Sequence, residues 1–298
     1  MIDPIIFTIE IGDLTLNFRW YGLLIAIGVA VAAWVAERQV AKRGGNPDLV
    51  WDGLIWVLPA AIIGARLWYV LNEILGGGRQ YLDDPGRIFQ ITEGGLHIFG
   101  AFIFGLLAAL IYTRRKRIDL LLLLDAIAPA LLIVQALARP ANFINQELYG
   151  PPTELPWGIP IEAAKRLPPW NNLELYPVES TRFHPTFAYE MIWNLLAASL
   201  LLWLARRFPD KLKPGASFAA WLVLAGVGRV VIEAFRPDQP LISGTSLSYS
   251  RLVAILMAIG GAFWLLVRYE IIRVPRLSAG PEQYRLKKPS YKSRKKKN

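Results

Sequence analysis

Residues 120–150 read LLLLLDAIAPALLIVQALARPANFINQELYG, an apolar run that turns polar at Arg139. About 20 largely apolar residues are what an α-helix needs to cross the hydrocarbon core of a bilayer. Onto the end of this run the sequence crowds Arg139, Asn142, Asn145, Gln146 and Glu147. So many hydrogen-bonding groups at the edge of a greasy segment point to a polar ligand.

The rest of the chain repeats the apolar half of this pattern. Spans are expected near 18–36, 50–71, 95–112, 119–137, 185–205, 216–233 and 248–267. The runs are too long and too continuous for the alternating strands of a barrel. With 54% hydrophobic residues over 298 positions and a mean hydropathy of +0.35, the expected fold is an all-α polytopic membrane protein. It would have seven transmembrane helices and a small external arm or head region. The flank MIDPIIFTIEIGDLTLNF has no basic residue before Arg19, so it reads as a surface strand or hairpin rather than as a cleavable signal.

Charge orders the loops. Twenty-two Lys and Arg follow the first, third, fifth and last spans, eleven of them from Arg268 onward, against eight in the other connections. The positive-inside bias then places the N-terminus outside and the C-terminus in the cytoplasm, which requires an odd number of spans. The net charge of +10 is concentrated in the end KKPSYKSRKKKN, read as a disordered cytoplasmic tail that meets anionic lipid headgroups, so no nucleic-acid partner is implied. Zero Cys and only two His, His97 and His184, leave no thiol nucleophile and no thiolate metal site. A haem carrier or zinc protease is disfavoured, and no metal site is expected.

The organisation expected is a membrane-embedded catalytic region over 1–267, containing an external signature loop and arm at 138–184, and a basic cytoplasmic tail over 268–298. The arm, rich in Pro and Trp in PPTELPWGIP and RLPPWNNLELYP, reads as structured. Gly100 and Gly105 in the third span would permit close helix approach. No internal repeat suggests an inverted-repeat transporter.

Several polar residues inside or beside spans need partners. Arg229 and Glu233 are four apart and share a helix face, either as a packing salt bridge or as an arginine facing a lipid phosphate with its carboxylate orienting it. Arg139 and Asn142, three apart, can converge on an oxyanion with Glu147 near. Glu190, in the first turns of a helix opened by Pro185 after His184, requires pairing with an arginine from another helix. Tyr21 serves as an interfacial anchor or a ligand contact, and Arg66 snorkels or pairs internally.

Together these segments resemble the prolipoprotein diacylglyceryl transferases of bacterial inner membranes. The resemblance runs from RWYGLL to about Leu256 and is carried by Trp20, Tyr21 and Gly22; Gly94 and Gly95; the tract from Arg139 to Gly150; His184, Pro185, Tyr189 and Glu190; and Arg229, Glu233 and Arg236. The tract resembles a signature beginning Gly-Arg and continuing through Gly-Asn-Phe-Ile-Asn to Glu and Gly. It departs at Ala138, Pro140 and Ala141, and at Gln146, where glycine is usual. Phe99 stands where the family commonly has histidine, and the nearby imidazole is His97. Ala225 replaces a common tyrosine.

The resemblance implies seven transmembrane helices, no cofactor, and transfer of the diacylglyceryl group of phosphatidylglycerol to the lipobox cysteine of a prolipoprotein peptide, with membrane lipids as surroundings. Arg139 and Arg229 would be the essential arginines, binding phosphate with support from Asn142. From the pKa range of an imidazole, His97 is the first candidate to deprotonate the thiol, with Glu147 or Glu190 orienting it or taking its place, or an arginine-rich field making a dedicated base unnecessary. Tyr21, Asn145, Gly150, His184 and Glu233 complete the substrate-binding set. The rival readings are a non-catalytic phospholipid or peptide transporter using the same arginines, and a structural scaffold whose ion pairs only hold helices together.

Overall fold

The computed structural model describes residues 2–12, 14–90, 94–236, 239–274 and 280–286. The lysine-rich end, 287–298, lies outside the described residues, as do 91–93. Two antiparallel strands, β1 (Ile5–Ile11) and β2 (Leu14–Arg19), form the hairpin expected at the N-terminal flank. Eight α-helices follow: α1 (Trp20–Lys42), α2 (Asp48–Leu75), the short α3 (Gln80–Asp83), α4 (Ile98–Lys116), α5 (Leu120–Asn145), α6 (Thr186–Arg207), α7 (Ala216–Glu233) and α8 (Tyr249–Arg268). Every expected span coincides with one of the long helices. Six of them, all except α4, are long and apolar enough among the described residues to cross a membrane. Ile55, Trp56, Leu196, Trp203, Leu256 and Ile259 are exposed, as befits helices whose solvent is lipid.

The chain divides into two compact units. The second comprises 37–123 and the segment from Tyr284 onward, with α2 and α4 as its core pair. Small residues let these helices touch. A Cβ on Gly100 would overlap the Gly64 carbonyl, and one on Gly64 would overlap the Phe104 ring. In lipid, where apolar burial gives helices no reason to associate, such close backbone approach supplies the packing. At the far end of the pair, Tyr112 Oη donates to the Leu49 carbonyl at 3.1 Å.

The first unit comprises residues 1–36 and 124–283. Here Gly28 of α1 faces Val134 of α5, Gly226 of α7 lies against the Ala254 carbonyl of α8, and Gly228 lies under the Trp193 indole of α6. That indole donates to the Leu224 carbonyl at 2.9 Å. Asp125 of α5, fully buried, accepts from the Gly215 and Phe218 amides at 2.6 and 2.8 Å, so a carboxylate from one helix caps the positive end of another. The arm between α5 and α6 has a core of its own, Tyr149, Ile161, Trp170 and Phe183. The Arg166 guanidinium lies 5.1 Å from the centre of the Phe183 ring. The structured arm inferred from its Pro and Trp content is thus a small packed body.

One expectation changes and one is sharpened. The apolar run of α5 ends at Leu137, but the helix continues through Arg139 and Asn142 to Asn145, so the start of the signature tract is helix and not loop. Of the two readings for Arg66 the internal pairing holds, with backbone carbonyls and, among the described residues, no carboxylate. The arginine is buried, and its five N–H groups meet five backbone carbonyls, those of Arg87, Ile88, Gln90, Gly94 and Gly95, at 2.6 to 3.1 Å.

Candidate active site

The polar tract is positioned by the way α5 ends. Gln146 has φ of +56°. Its amide donates to the Phe143 carbonyl at 3.1 Å, and the Glu147 amide donates to the Asn142 carbonyl at 2.9 Å. This is a Schellman closure, which wants a left-handed residue just past the helix and most often takes glycine. Gln146 holds that conformation while its side-chain oxygen accepts from the Glu162 amide of the arm at 2.8 Å. The departure from the family's usual glycine is therefore accommodated by a new contact.

With the helix end fixed, the side chains converge. Asn142 donates to Glu147 Oε1 at 2.8 Å and Asn145 to the same oxygen at 3.3 Å. Arg139 Nη1 donates to Asn142 Oδ1 at 3.1 Å, and Arg139 Nη2 forms an ion pair with Glu190 of α6. Glu190 thus has the arginine that its depth demands. The Arg139 and Glu190 side chains keep 18% and 15% of their surface, enough for a ligand to reach the pair. Arg139 Nε is buried with no hydrogen-bond partner among the described residues.

On α7, Arg229 Nε lies 3.2 Å from Glu233 Oε2, the helical pair expected from their spacing. Arg229 Nη2 donates to Gln239 Oε1 at 2.9 Å. Ser250 donates to Glu233 Oε2 at 2.6 Å, and Ser248 also donates to the Glu233 carboxylate. Ser248 in turn caps α8 by accepting from the Arg251 amide at 3.0 Å. Arg139, Glu190 and Arg236 all lie within electrostatic range of Arg229. The two arginines therefore belong to one cationic centre in the first unit, each held by a carboxylate.

Gly150 closes the tract. Its amide donates to the His184 carbonyl at 2.8 Å, and a Cβ there would crowd the Phe235 carbonyl, Thr186 and His184. His184 Nδ1 lies 2.9 Å from Tyr189 Oη, which accepts from Trp157 Nε1 at 2.8 Å. Tyr21 opens α1 with an exposed ring and makes no side-chain hydrogen bond among the described residues.

His97 lies in the second unit. It caps α4, with Nδ1 accepting from the Phe99 amide at 3.3 Å and its own amide donating to the Ala65 carbonyl at 3.0 Å. Gln239, Ser248, Ser250 and Trp157 were not singled out from sequence. Only Ser248 carried a signal, as a serine one residue before a span. Among the described residues no cluster of His, Asp and Glu is arranged to hold a metal ion.

The model of the prolipoprotein diacylglyceryl transferase family matches residues 4–267. The chain belongs to that family. A phosphatidylglycerol–prolipoprotein diacylglyceryl transferase of Chloroflexus aggregans is 39% identical over 249 residues, covering 81% of this chain and 80% of the relative. One from Trichormus variabilis is 38% identical over 264 residues, with 87% and 89% covered, and one from Halalkalibacterium halodurans is 39% identical over 264 residues, with 87% and 85% covered. The match to the transferase family spans the arginine pair, the arm and all the long helices.

Proposed function

We infer that this chain, a multi-pass protein of the bacterial inner membrane, transfers the diacylglyceryl group of phosphatidylglycerol to the lipobox cysteine of a prolipoprotein, releasing glycerol phosphate. The observation that carries the reading is the joint placement of Arg139 and Arg229, two carboxylate-held guanidinium groups in one membrane-embedded centre, within a chain of this family. The reaction is displacement at the glycerol carbon bearing the phosphate ester. A C–S bond forms, the C–O bond breaks, and the phosphate leaves with an added negative charge. Guanidinium groups fixed before the reaction stabilise that charge where it develops, and their fork geometry suits phosphate oxygens.

In this reading Arg139 and Arg229 hold the phosphate. Glu190 and Glu233 orient the guanidinium groups, and Asn142 and Asn145 stand beside them with Glu147 as their common anchor. Gly150 keeps the wall thin where His184 and Phe235 approach, and Tyr21 positions the headgroup from α1. The incoming thiol, with an intrinsic pKa of about 8.5, needs a proton acceptor or a strongly cationic field. His97 is the acceptor proposed from the sequence; while its Nδ1 lone pair is held by the Phe99 amide the neutral ring carries its proton on Nε2, so the cap must open before it accepts one. Glu147 and Glu190 are the alternatives, though both are engaged as hydrogen-bond anchors.

The proposed topology has seven spans, α4 included, with the N-terminus outside, the arm on the external face and the basic tail over 268–298 in the cytoplasm. Incubating the purified protein with labelled phosphatidylglycerol and a lipobox peptide tests the reaction. A thioether-linked diacylglyceryl peptide is expected; movement of lipid with no such product would leave the transporter reading instead.

A further inference from the structure

Among the described residues, the first unit holds one imidazole, and it is not an ordinary packed histidine. His184 sits where the arm enters α6, with its backbone carbonyl bound by Gly150 and its ring 5.4 Å from that of Phe235, two residues beyond Glu233. Tyr189, whose hydroxyl meets His184 Nδ1, immediately precedes Glu190, the partner of Arg139. The imidazole therefore stands between the segment carrying Arg139 and the segment carrying Arg229. The residue is only half-buried.

The bonding around Tyr189 is what a base-orienting group requires. Trp157 Nε1 is a donor only, so the Tyr189 oxygen receives that hydrogen at 2.8 Å and keeps a lone pair and its own proton for His184. Either imidazole tautomer keeps the His184–Tyr189 bond, because a hydroxyl both donates and accepts. With Nδ1 protonated and donating to Tyr189, Nε2 presents its lone pair, and no described residue hydrogen-bonds to it. A nucleophile's base held in position by a third group is the arrangement that activates weak nucleophiles. His97 differs on the same point, since its Nδ1 lone pair is engaged by the Phe99 amide.

We propose that His184, oriented by Tyr189 and Trp157, is the proton acceptor for the lipobox cysteine. The inference rests on the transferase reading of the same site. The thiol S–H bond breaks and its proton joins His184 Nε2. The thiolate electron pair forms the C–S bond as the glycerol C–O bond breaks, and the bonding electrons leave on the phosphate oxygen. The imidazolium then returns its proton to the departing phosphate monoester, whose second pKa is near 6. Nothing further is consumed, and the histidine ends neutral. Tyr189 and Trp157 act through His184 and are positioning residues.

Among the described residues, the charged and titratable groups carried close in sequence on the segments that touch His184 are Tyr189 and Glu190 on α6, Arg182 in the arm, Glu147 before Gly150, and Arg236 beyond Phe235. Arg182 Nη1 turns back to the Thr181 carbonyl at 3.1 Å, Glu147 is held by Asn142 and Asn145, and Glu190 is held by Arg139. Tyr189 makes the bond to His184 itself.

The test uses the full-length protein with labelled phosphatidylglycerol and a lipobox peptide, following kcat/KM against pH. For His184→Gln a fall of about 10²-fold or more is expected, with loss of the acid limb of the profile. For His184→Ala, added imidazole should restore part of the rate, which a merely structural role would not allow. Tyr189→Phe, with a milder loss and a shifted acid limb, keeps the test alive if the histidine variants fail to fold. An unchanged rate and profile in His184→Gln, a lowered rate with the acid limb intact, or an acid limb that disappears only in His97→Gln would each overturn the assignment. A wild-type protein that makes no thioether would instead overturn the transferase reading.

Discussion

Arg66 and Arg139 both sit in largely apolar helices, and they are bound in opposite ways. Arg66 meets five backbone carbonyls with five N–H groups and has its ring neighbours, Tyr69 and Tyr81, 5.8 and 5.4 Å from the guanidinium carbon. It fastens Arg87, Ile88, Gln90, Gly94 and Gly95 to α2. Gly94 and Gly95 have φ of +97° and +73°, and a Cβ at Gly95 would overlap Arg66 Nη1. The glycine pair is therefore needed to bring two carbonyls onto the arginine. Arg139 has side-chain partners only, a carboxylate and an amide, and its buried Nε has none among the described residues. A saturated arginine is a fastener, whereas an arginine with open donors can still take a ligand.

The comparison breaks most sharply under conservative substitution. Arg139→Lys keeps a positive charge for Glu190 but loses the planar fork. Turnover should fall about 10²-fold or more, with the thermal unfolding midpoint in detergent nearly unchanged. A variant whose activity survives would remove Arg139 from the phosphate site. Arg66→Lys should do the reverse. An ammonium has three donors for five carbonyls, so at least two partly buried acceptors lose their partner, at about 1 kcal/mol of stability each. Unfolding and proteolysis of the 85–95 segment read that loss. Turnover per folded molecule should change far less than in Arg139→Lys.

The second arginine supplies a finer contrast, because its support is layered. Glu233 holds Arg229 and is itself held by Ser248 and Ser250. Ser250→Ala removes one hydrogen bond from a carboxylate that remains paired. About 1 kcal/mol, or roughly 5-fold in kcat, is the expected effect, with little change in the unfolding midpoint. A loss as large as that of Arg139→Lys would mean that Ser250 itself contacts the substrate.

These contrasts also explain what the sequence could and could not convey. The pairing of Glu190 with an arginine and of Arg229 with Glu233 was legible, because a charge inside a span demands a partner and helical spacing supplies one. The partners of Arg66 were not legible, since backbone carbonyls leave no trace in residue identity. The continuation of α5 past the apolar boundary at 137 was legible only in part, from the spacing of Arg139 and Asn142. Hydropathy marks the end of the greasy environment, whereas a helix ends where its last carbonyls find a cap. His184 was visible as a residue, but its Tyr189 and Trp157 partners come from another turn of α6 and from a folded arm.

That cap yields the smallest and most discriminating prediction. Gln146 adopts a left-handed backbone at a cost of about 1 kcal/mol relative to glycine, and its side chain returns a comparable amount through the Glu162 amide. Gln146→Gly exchanges one for the other, so stability should change by less than about 1 kcal/mol. Gln146→Ala keeps the backbone strain and loses the bond, and should cost about 1 kcal/mol more than the glycine variant. Equal unfolding midpoints for the wild type and Gln146→Ala would mean that the contact between arm and helix end contributes nothing. A wild type that matches Gln146→Gly, with Gln146→Ala below both, would show how a chain that departs from its family's glycine still places Asn142, Asn145 and Glu147 at the helix end.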